Sequence, residues 1–383
     1  MIFRILEDQF AQKIRESKAS DRRYMQLALA LGRRGQGRTW PNPAVGAVVV
    51  RDGVIVGRGW TQPGGRPHAE PEALRRAGDA ARGATLYVTL EPCSHFGKSP
   101  PCVDAVIASG VSRVVSAIED PNPEVAGQGH ARLRAAGITV DVGPCAAEAA
   151  HDHAGHFRRI RDKRPHVILK LAVSADDKIG APGRKPLAIT GEAARTQVHL
   201  LRARSDAILV GIGTVLSDDP LLTCRLPGME GRSPVRVVLD RALRIAGDSR
   251  LVRSARQTPL WVVTSETSEA AAAMKLGAAG AQVIRVPTDV ARPGLDLPAV
   301  LHALCEKGVS RLMVEGGARV ASSFVAAGLV DEIWLLRGPA SVGADGVPAL
   351  DALPLAAITQ SPGFKVRASE MLDKDTLTIY ERA

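Results

Sequence analysis

The sequence has few aromatic residues and no long apolar run. Its 383 residues include only six Phe, four Trp and three Tyr. This scarcity of rings disfavours a protein that stacks a run of single-stranded bases. No stretch approaches the ~18 consecutive apolar residues of a membrane helix, and residues 1–23 mix both charge signs without the apolar core of a signal peptide. The sequence therefore predicts a cytoplasmic protein.

Cysteine is also scarce, and the charge is unbalanced. Five cysteines are too few, and odd in number, for a disulfide framework, so we expect thiolate chemistry or simple burial. The 50 Lys and Arg residues against 40 Asp and Glu residues give a net charge of +10. This excess favours an anionic partner, and it does not distinguish a phosphorylated metabolite from a polymer.

The length predicts two domains, at the usual ~150 residues each. We expect a tail over residues 1–20 and a helix capped by Asp21 that runs to Gly32. An Asp52-Gly53 turn then predicts a hairpin, and alternating helices and strands predict a three-layer α/β domain with a largely parallel sheet over residues 21–163. A single helix should run through residues 145–160, with its histidines at 151, 153 and 156 on a solvated face. The charged segment RDKRP marks the boundary.

A second alternating series predicts another three-layer α/β domain over residues 164–383. Its strands should include HVILKLAVS, DAILVG, VRVVLD, LWVVTS, AQVIRV, RLMVEGG and EIWLLRG. The last two strands, around Asp373, are expected to form an antiparallel hairpin at the sheet edge.

Four residues of the first half are of the types that form a catalytic zinc site. His68 and Glu70 stand at the start of a predicted helix, Cys93 follows a predicted strand, and Cys102 begins another helix. One imidazole and two thiolates leave a fourth position open for water. A closed structural site would need a fourth ligand, for which His95 is the near candidate. Glu70 is two residues from His68 and can carry protons between the water and the substrate.

These residues lie in motifs that resemble a known family. PNPAVGAVVV, HAE and VTLEPCSHFGKSPPC resemble the deaminase half of the bifunctional deaminase/reductases of riboflavin biosynthesis, a half with a cytidine-deaminase-like fold. The resemblance implies zinc on His68, Cys93 and Cys102, with Glu70 as general acid and base. The implied substrate is a 2,5-diamino-6-(phosphoribosylamino)pyrimidinone that loses its 2-amino group. Its phosphoribosyl group would lie near Asn42, His95 and Lys98.

The second half resembles the reductase domain of the same family, which has a dihydrofolate-reductase-like fold and uses NADPH. LKLAVSADDKI and RLMVEGGARVASSF carry this resemblance. A strand followed by Gly-Gly and then a helix can also bind a pyrophosphate at the N-terminus of that helix. The implied substrate contacts are Lys170, Arg202, Leu221, Arg225 and Glu315, with the two arginines on the phosphate. The implied cofactor contacts are Ala172, Thr214, Asp218, Gly316, Gly317, Ala318, Arg319 and Val320.

The chain departs from the family pattern at two places. Pro186 and Ala188 stand where a serine and a tryptophan are common, and Asp177 stands where the family has glycine. These changes affect positions near the substrate and the cofactor. A preference for NADPH over NADH is expected, and loop arginines such as Arg195 and Arg241 are candidates to meet its extra phosphate.

Two other functions remain open from the sequence. A nucleic-acid deaminase shares the HAE motif, but its cysteines are spaced P-C-x-x-C, whereas eight residues separate Cys93 from Cys102. A degenerate zinc-binding regulatory module would be expected to have lost Glu70. We therefore expect an enzyme with a small phosphorylated pyrimidine substrate, organised as a homo-oligomer, with no nucleic-acid or membrane partner.

Overall fold

The computed structural model describes residues 18–97, 99–182, 187–289 and 294–383. The chain divides into two compact units, Met1–Asp162 and Lys163–Ala383. Among the helices that are described, none combines the length and the apolar character needed to cross a bilayer. Most of the predicted tail, residues 1–17, lies outside the described residues, as do Lys98 and Pro186.

The first unit is a five-stranded sheet between two layers of helices. Its strands are β1 Gly46–Arg51, β2 Val54–Trp60, β3 Thr85–Val88, β4 Arg113–Ser116 and β5 Thr139–Val142. Its helices are α1 (residues 18–32), α2 Ala69–Ala77, α3 Cys102–Ala108, α4 Gln128–Ala135, α5 Ala146–Asp152 and α6 Ala154–Asp162.

Strand alternation distributes the apolar residues of this sheet between two cores. Val48 and Tyr87 contribute to the core that includes Met25 of α1, whereas Val49 and Leu86 contribute to the opposite core. Successive residues of a strand face opposite sides, so the continuous apolar runs fill both layers. The predicted three-layer architecture is confirmed.

The predicted hairpin is confirmed, and the prediction of a largely parallel sheet is wrong. Strands lie in the order β2-β1-β3-β4-β5, and β1 is antiparallel to both neighbours. Asp52 and Gly53 both have positive φ in the two-residue turn, as a tight hairpin requires. Only the pairings of β3 with β4 and of β4 with β5 are parallel, because helices connect those strands.

Three further expectations for this unit are wrong. Asp21 lies inside α1 instead of capping it, and its buried carboxylate accepts hydrogen bonds from the Tyr87 hydroxyl at 2.7 Å and from Arg113. The single helix through residues 145–160 is broken at His153, between α5 and α6. His153 is buried with Nε2 3.1 Å from Thr89 Oγ1, and His156 contacts Asp120, so neither belongs to a solvated face.

The second unit contains a nine-stranded sheet. Its strands are β6 His166–Val173, β8 Ala207–Gly211, β9 Val235–Leu239, β10 Leu260–Ser265, β11 Gln282–Val286, β12 Arg311–Val314, β13 Glu332–Arg337, β15 Phe364–Leu372 and β16 Asp375–Arg382, while β7 Lys178–Gly180 pairs with β14 Val347–Pro348. The helices are α7 Glu192–Arg204, α8 Ile212–Asp218, α9 Arg250–Arg253, α10 Ala270–Ala278, α11 Leu297–Glu306, α12 Ala318–Ala326 and α13 Ala356–Thr359.

The strand order of this sheet is β11-β10-β9-β8-β12-β6-β13-β16-β15. All pairings from β11 to β13 are parallel, and β16 and β15 complete the edge as an antiparallel hairpin. Each strand predicted from the apolar runs is present. Parallel strands present their carboxyl ends at one edge, where α8 begins directly after β8 and a short loop joins β12 to α12.

Candidate metal centre and cofactor cavity

Three elements of the first unit bring His68, Cys93 and Cys102 together. His68 is the N-cap of α2, Cys93 lies in the loop after β3, and Cys102 is the first residue of α3. The loop is closed onto α3, because the Cys102 amide donates to Cys93 Sγ at 3.3 Å and the Val103 amide donates to the Cys93 carbonyl at 3.2 Å. The predicted triad is therefore assembled in space.

The donor atoms are spaced as a tetrahedral zinc ion requires. His68 Nδ1 lies 3.2 Å from Cys102 Sγ and 3.8 Å from Cys93 Sγ, and the three donor atoms lie within 4.8 Å of one another. Zinc bonds of ~2.0 Å to nitrogen and ~2.3 Å to sulfur place such atoms roughly 3.5 Å apart. No fourth His, Cys, Asp or Glu joins this group among the described residues. His95 is exposed and stands outside it, so the set matches an open site.

Glu70 lies beside the triad without belonging to it. It follows His68 by two residues in the first turn of α2 and is buried, with 3% of its surface exposed. Burial raises the pKa of its carboxyl to about 7. A carboxyl with a pKa near neutrality can both accept and return a proton.

A neighbouring carboxylate that sequence reasoning missed fixes the loop of the metal centre. Glu91, two residues before Cys93, is buried and accepts the backbone N–H groups of Asp120, Gly127 and His130 at 2.9–3.2 Å. It forms a second group of possible metal donors with Glu119 and His130. Three backbone donors already satisfy the two oxygens of Glu91, so its role here is to tie the loop before α4 to the segment that carries Cys93.

The predicted phosphoribosyl residues gather around Gly65 and Arg66. A Cβ on Gly65 would lie 2.1 Å from Asn42 Nδ2, and its φ is +85°, so this position requires glycine. Arg66 donates to Ser99, and both Arg66 and His95 lie beside Gly97. Arg66 is a basic residue that the sequence analysis missed. Lys98 lies outside the described residues, so its predicted role stays a prediction.

In the second unit, Lys170, Arg202 and Glu315 form a buried ion cluster. Lys170 Nζ lies 3.2 Å from Glu315 Oε1, and the Arg202 guanidinium contacts both Glu315 oxygens at 2.9–3.1 Å. Arg202 also donates to the Thr223 carbonyl at 3.1 Å. Burial alone would raise the pKa of Glu315, but Lys170 and Arg202 lower it to about 2. The carboxylate is therefore charged at neutral pH.

The two arginines that were predicted to meet the phosphate differ in their environment. The donors of Arg202 face Glu315 and Thr223, and its side chain is 10% exposed. Arg225 is exposed, and its backbone N–H donates to His199 Nδ1 at 3.3 Å. A phosphate contact from Arg202 stays a prediction, whereas Arg225 presents its guanidinium to solvent. Leu221, two residues before Thr223, is half-buried.

A cavity of about 840 Å³ opens at the carboxyl edge of the second sheet. The predicted cofactor residues that line it are Thr214, Asp218, Gly317, Ala318, Arg319 and Val320. Ala172 and Gly316 are absent from its lining. A Cβ on Gly316 would lie 2.7 Å from the Val320 side chain, so glycine is needed there for packing, while Gly317 is the N-cap of α12. The volume suits a ligand of cofactor size.

The departures from the family pattern lie elsewhere in this unit. Asp177 pairs with Arg337 at 2.6 Å, and Ala188 is exposed. Of the two loop arginines expected to meet an extra phosphate, Arg241 lines the cavity. Arg195 does not line it and lies within α7, so its prediction as a loop residue is wrong.

Known proteins resemble both units. Residues 18–118 match the cytidine and deoxycytidylate deaminase zinc-binding region, and residues 165–378 match the RibD C-terminal domain. The riboflavin biosynthesis protein RibD of Aquifex aeolicus is 41% identical over 362 residues, covering 94% of this chain and 98% of that protein. RibD of Escherichia coli K12 is 40% identical over 359 residues, covering 91% and 95%.

Solved structures give the same result. RibD of Acinetobacter baumannii, form 1, superposes with a TM-score of 0.84 at 33% identity, covering 96% of this chain and 99% of that one. A deaminase/reductase of Thermotoga maritima superposes with a TM-score of 0.82 at 35% identity, covering 96% and 100%. Fold and sites thus define an enzyme that joins a cytidine-deaminase-like domain to a reductase domain.

The chain belongs to the RibD family of bifunctional deaminase/reductases of riboflavin biosynthesis. The resemblance stated from the sequence is confirmed, as are the fold class and the use of zinc and NADPH. The nucleic-acid deaminase and the regulatory module are not favoured.

Proposed function

We propose that residues 21–163 deaminate 2,5-diamino-6-(5-phosphoribosylamino)pyrimidin-4(3H)-one and that residues 164–383 reduce the product to 5-amino-6-(5-phosphoribitylamino)uracil. The Thermotoga maritima relative is named for a deaminase and a reductase of this substrate class. The observation that carries the proposal is the open triad of His68, Cys93 and Cys102 beside the buried Glu70.

The triad would hold zinc through His68 Nδ1 and the two thiolates. Zinc bound there would lower the pKa of its water to ~7. Glu70 accepts the proton of the attacking water as oxygen bonds to C2 of the pyrimidine, and it delivers that proton to the ring nitrogen. Glu70 then takes the remaining proton from the new C2 hydroxyl and delivers it to the 2-amino group; the C2–N bond breaks, the C2 carbonyl forms, and ammonia leaves.

The phosphoribosyl group of the substrate would lie against Asn42, Arg66 and His95. The side-chain amide of Asn42 offers donors to the ribose, and Arg66 and His95 offer donors to phosphate. Their convergence around Gly65 and Gly97 supports this placement. Lys98, in the same loop, is proposed for the phosphate as well.

For the reduction, a proton would be taken up on the ribose ring oxygen as the C1′–O bond opens, and the hydride to C1′ would come from bound NADPH. We place it in the 840 Å³ cavity, with its pyrophosphate at the N-terminus of α12 beside Gly317 and Thr214. Ala172 and Gly316 remain predicted cofactor contacts.

The ring and ribose would meet Lys170 and Glu315, whose cluster lies on β6 and just after β12, with Leu221 against the pyrimidine. Arg225 would bind the substrate phosphate. Arg202 keeps Glu315 charged and oriented. The N–H groups of Arg202 already donate to that carboxylate, so a phosphate would have to share them.

The remaining partners are proposals too. We propose a cytoplasmic homo-oligomer that takes a free small-molecule substrate and no nucleic acid. The scarcity of aromatic rings supports the exclusion of single-stranded nucleic acid.

Incubating the purified full chain with the diaminopyrimidinone, with and without NADPH, tests the proposed function. Ammonia should be released without NADPH, and NADPH should be oxidised only when the deaminated product is present. A single-stranded oligonucleotide of cytosine and adenine should release no ammonia. NADPH oxidation that precedes deamination, or ammonia release from the oligonucleotide alone, would contradict the assignment.

A further inference from the structure

Two arginines, Arg241 and Arg244, rim the cavity at the carboxyl end of β9. Both are exposed cavity-lining residues. Among the described residues, neither has a side-chain hydrogen bond or an ion pair, although the Arg241 carbonyl accepts from Thr264 Oγ1 at 3.0 Å. Two guanidinium groups are therefore free to meet an anion in the cavity.

The backbone that carries the arginines is held by a buried carboxylate. Asp240 is 0% exposed, and its Oδ2 accepts the Ile245 N–H at 2.8 Å, while its carbonyl accepts the Leu243 N–H at 3.2 Å. These two hydrogen bonds hold the turn from Asp240 to Ile245. Arg241 and Arg244 lie within this turn, so their backbone positions are set before a ligand arrives.

The strand order shows which end of a dinucleotide these arginines would meet. In the sheet, β8 lies between β9 and β12, and β6 lies on the other side of β12. The substrate cluster of Lys170 and Glu315 is on the β6 side, where a hydride donor must lie. A cofactor whose pyrophosphate sits at α12 therefore extends its adenosine half towards β9, two strand spacings or about 10 Å away.

We propose that Arg241 and Arg244 bind the 2′-phosphate on the adenosine ribose of NADPH and set the preference over NADH. This inference rests on the proposed function of the cavity. Arg319, the third arginine of the lining, is at the start of α12 and belongs to the pyrophosphate end. The acidic residues of the lining are Asp218, Asp240 and Asp289; the carboxylate of Asp240 is buried beneath the turn.

The test is calorimetric titration of the full chain with NADPH, NADH and adenosine 2′,5′-bisphosphate. The variants are Arg241→Gln, Arg244→Gln and the double substitution, with Arg253→Gln of α9 as a matched exposed control that does not line the cavity. Each single variant should weaken NADPH binding by roughly 10- to 100-fold, as expected for the loss of a charged contact. NADH affinity should stay within about twofold, and the double variant should lose the bisphosphate.

Four results would overturn the proposal. Equal weakening of NADPH and NADH binding would show that the arginines contact the pyrophosphate, which both cofactors have. Unchanged NADPH affinity would show that the arginines do not contact the cofactor. If the preference for NADPH over NADH is lost in Arg195→Gln and kept in the other variants, the 2′-phosphate is bound by Arg195 of α7. If the wild-type chain binds neither dinucleotide, the proposed function of the cavity fails, and the inference fails with it. Unchanged ammonia release in every variant checks that the first unit is intact.

Discussion

The Arg202 guanidinium donates hydrogen bonds to both carboxylate oxygens of Glu315, over 2.9–3.1 Å. The two residues are 113 positions apart in the chain, on α7 and after β12. Such a two-point contact fixes the plane of the carboxylate as well as its charge. It makes Arg202 a positioning residue for Glu315 on the reductase side.

Substituting Arg202 should impair reduction and spare deamination. Arg202→Ala leaves Glu315 with Lys170 alone, and we expect reductase kcat to fall by about 10- to 100-fold, corresponding to the loss of a charged hydrogen-bonded pair. Ammonia release from the diaminopyrimidinone should continue at the wild-type rate, because the triad lies in the other unit. Parallel assays of ammonia and NADPH oxidation make the comparison.

A conservative variant separates positioning from simple folding. Arg202→Lys retains the charge and lacks the planar fork, so it should recover part of the lost kcat. Equal loss of both activities in a folded Arg202→Ala protein would argue for one shared site instead of two.

Asp21 should make the stability of the first unit depend on pH. Burial raises its pKa, but the hydrogen bonds from Arg113 and Tyr87 outweigh this and lower the pKa below the ordinary value. A lowered folded-state pKa means that this stabilisation is complete above the unfolded pKa of ~3.9 and is lost as pH falls through the folded pKa.

The variant Asp21→Asn should therefore lower the unfolding free energy of the first unit by about 1–3 kcal/mol at pH 7. The difference from wild type should begin to shrink below about pH 4, where the carboxyl of the unfolded wild-type chain takes up a proton, and it should be lost as pH falls through the lower folded-state pKa. Calorimetry at pH 7, 5 and 3.5 measures it. A difference that stays constant down to pH 3.5 would rule out the ion pair as its origin.

Gly46 is required where α1 crosses β1. A Cβ at this position would lie 1.8 Å from the Ala28 carbonyl oxygen, a backbone atom that cannot rotate away. Gly46→Ala should destabilise the first unit by about 1–3 kcal/mol or more, as overpacking does. Gly247→Ala, with no atom within 4 Å of the new Cβ, is the control in a thermal-unfolding comparison. Similar melting shifts for the two variants would contradict the clash.

The strands, and the proximity of His68, Cys93 and Cys102, could be predicted from the sequence because both depend on local patterns. Apolar runs such as those of β6 and β8 form buried parallel strands, and His68, Cys93 and Cys102 stand in compact motifs. These features need no knowledge of distant partners. The three candidate zinc ligands and the two glycines before α12 are therefore recognisable in the amino-acid sequence itself.

What the sequence did not predict depends on partners far apart in the chain. Asp21 accepts hydrogen bonds from Arg113, 92 positions away in the chain, and Glu91 accepts one from the backbone N–H of Gly127, 36 positions away. His153 is buried through its contact with Thr89, although its neighbours suggested a solvated face. The antiparallel placement of β1 beside β3 is likewise determined by tertiary packing, because no local pattern specifies which edge of a hairpin joins the sheet.

The most direct test measures zinc content and ammonia release in the same preparations of wild type, Glu70→Gln and Cys93→Ser. We expect about one zinc per chain in wild type and in Glu70→Gln, and loss of zinc in Cys93→Ser, because Glu70 lies beside the ligands and Cys93 among them. Deamination should fall by at least ~10²-fold in both variants, while reduction of the deaminated product continues. Loss of zinc from Glu70→Gln as complete as that from Cys93→Ser, or full deaminase activity in Glu70→Gln, would contradict the proton-transfer role of Glu70.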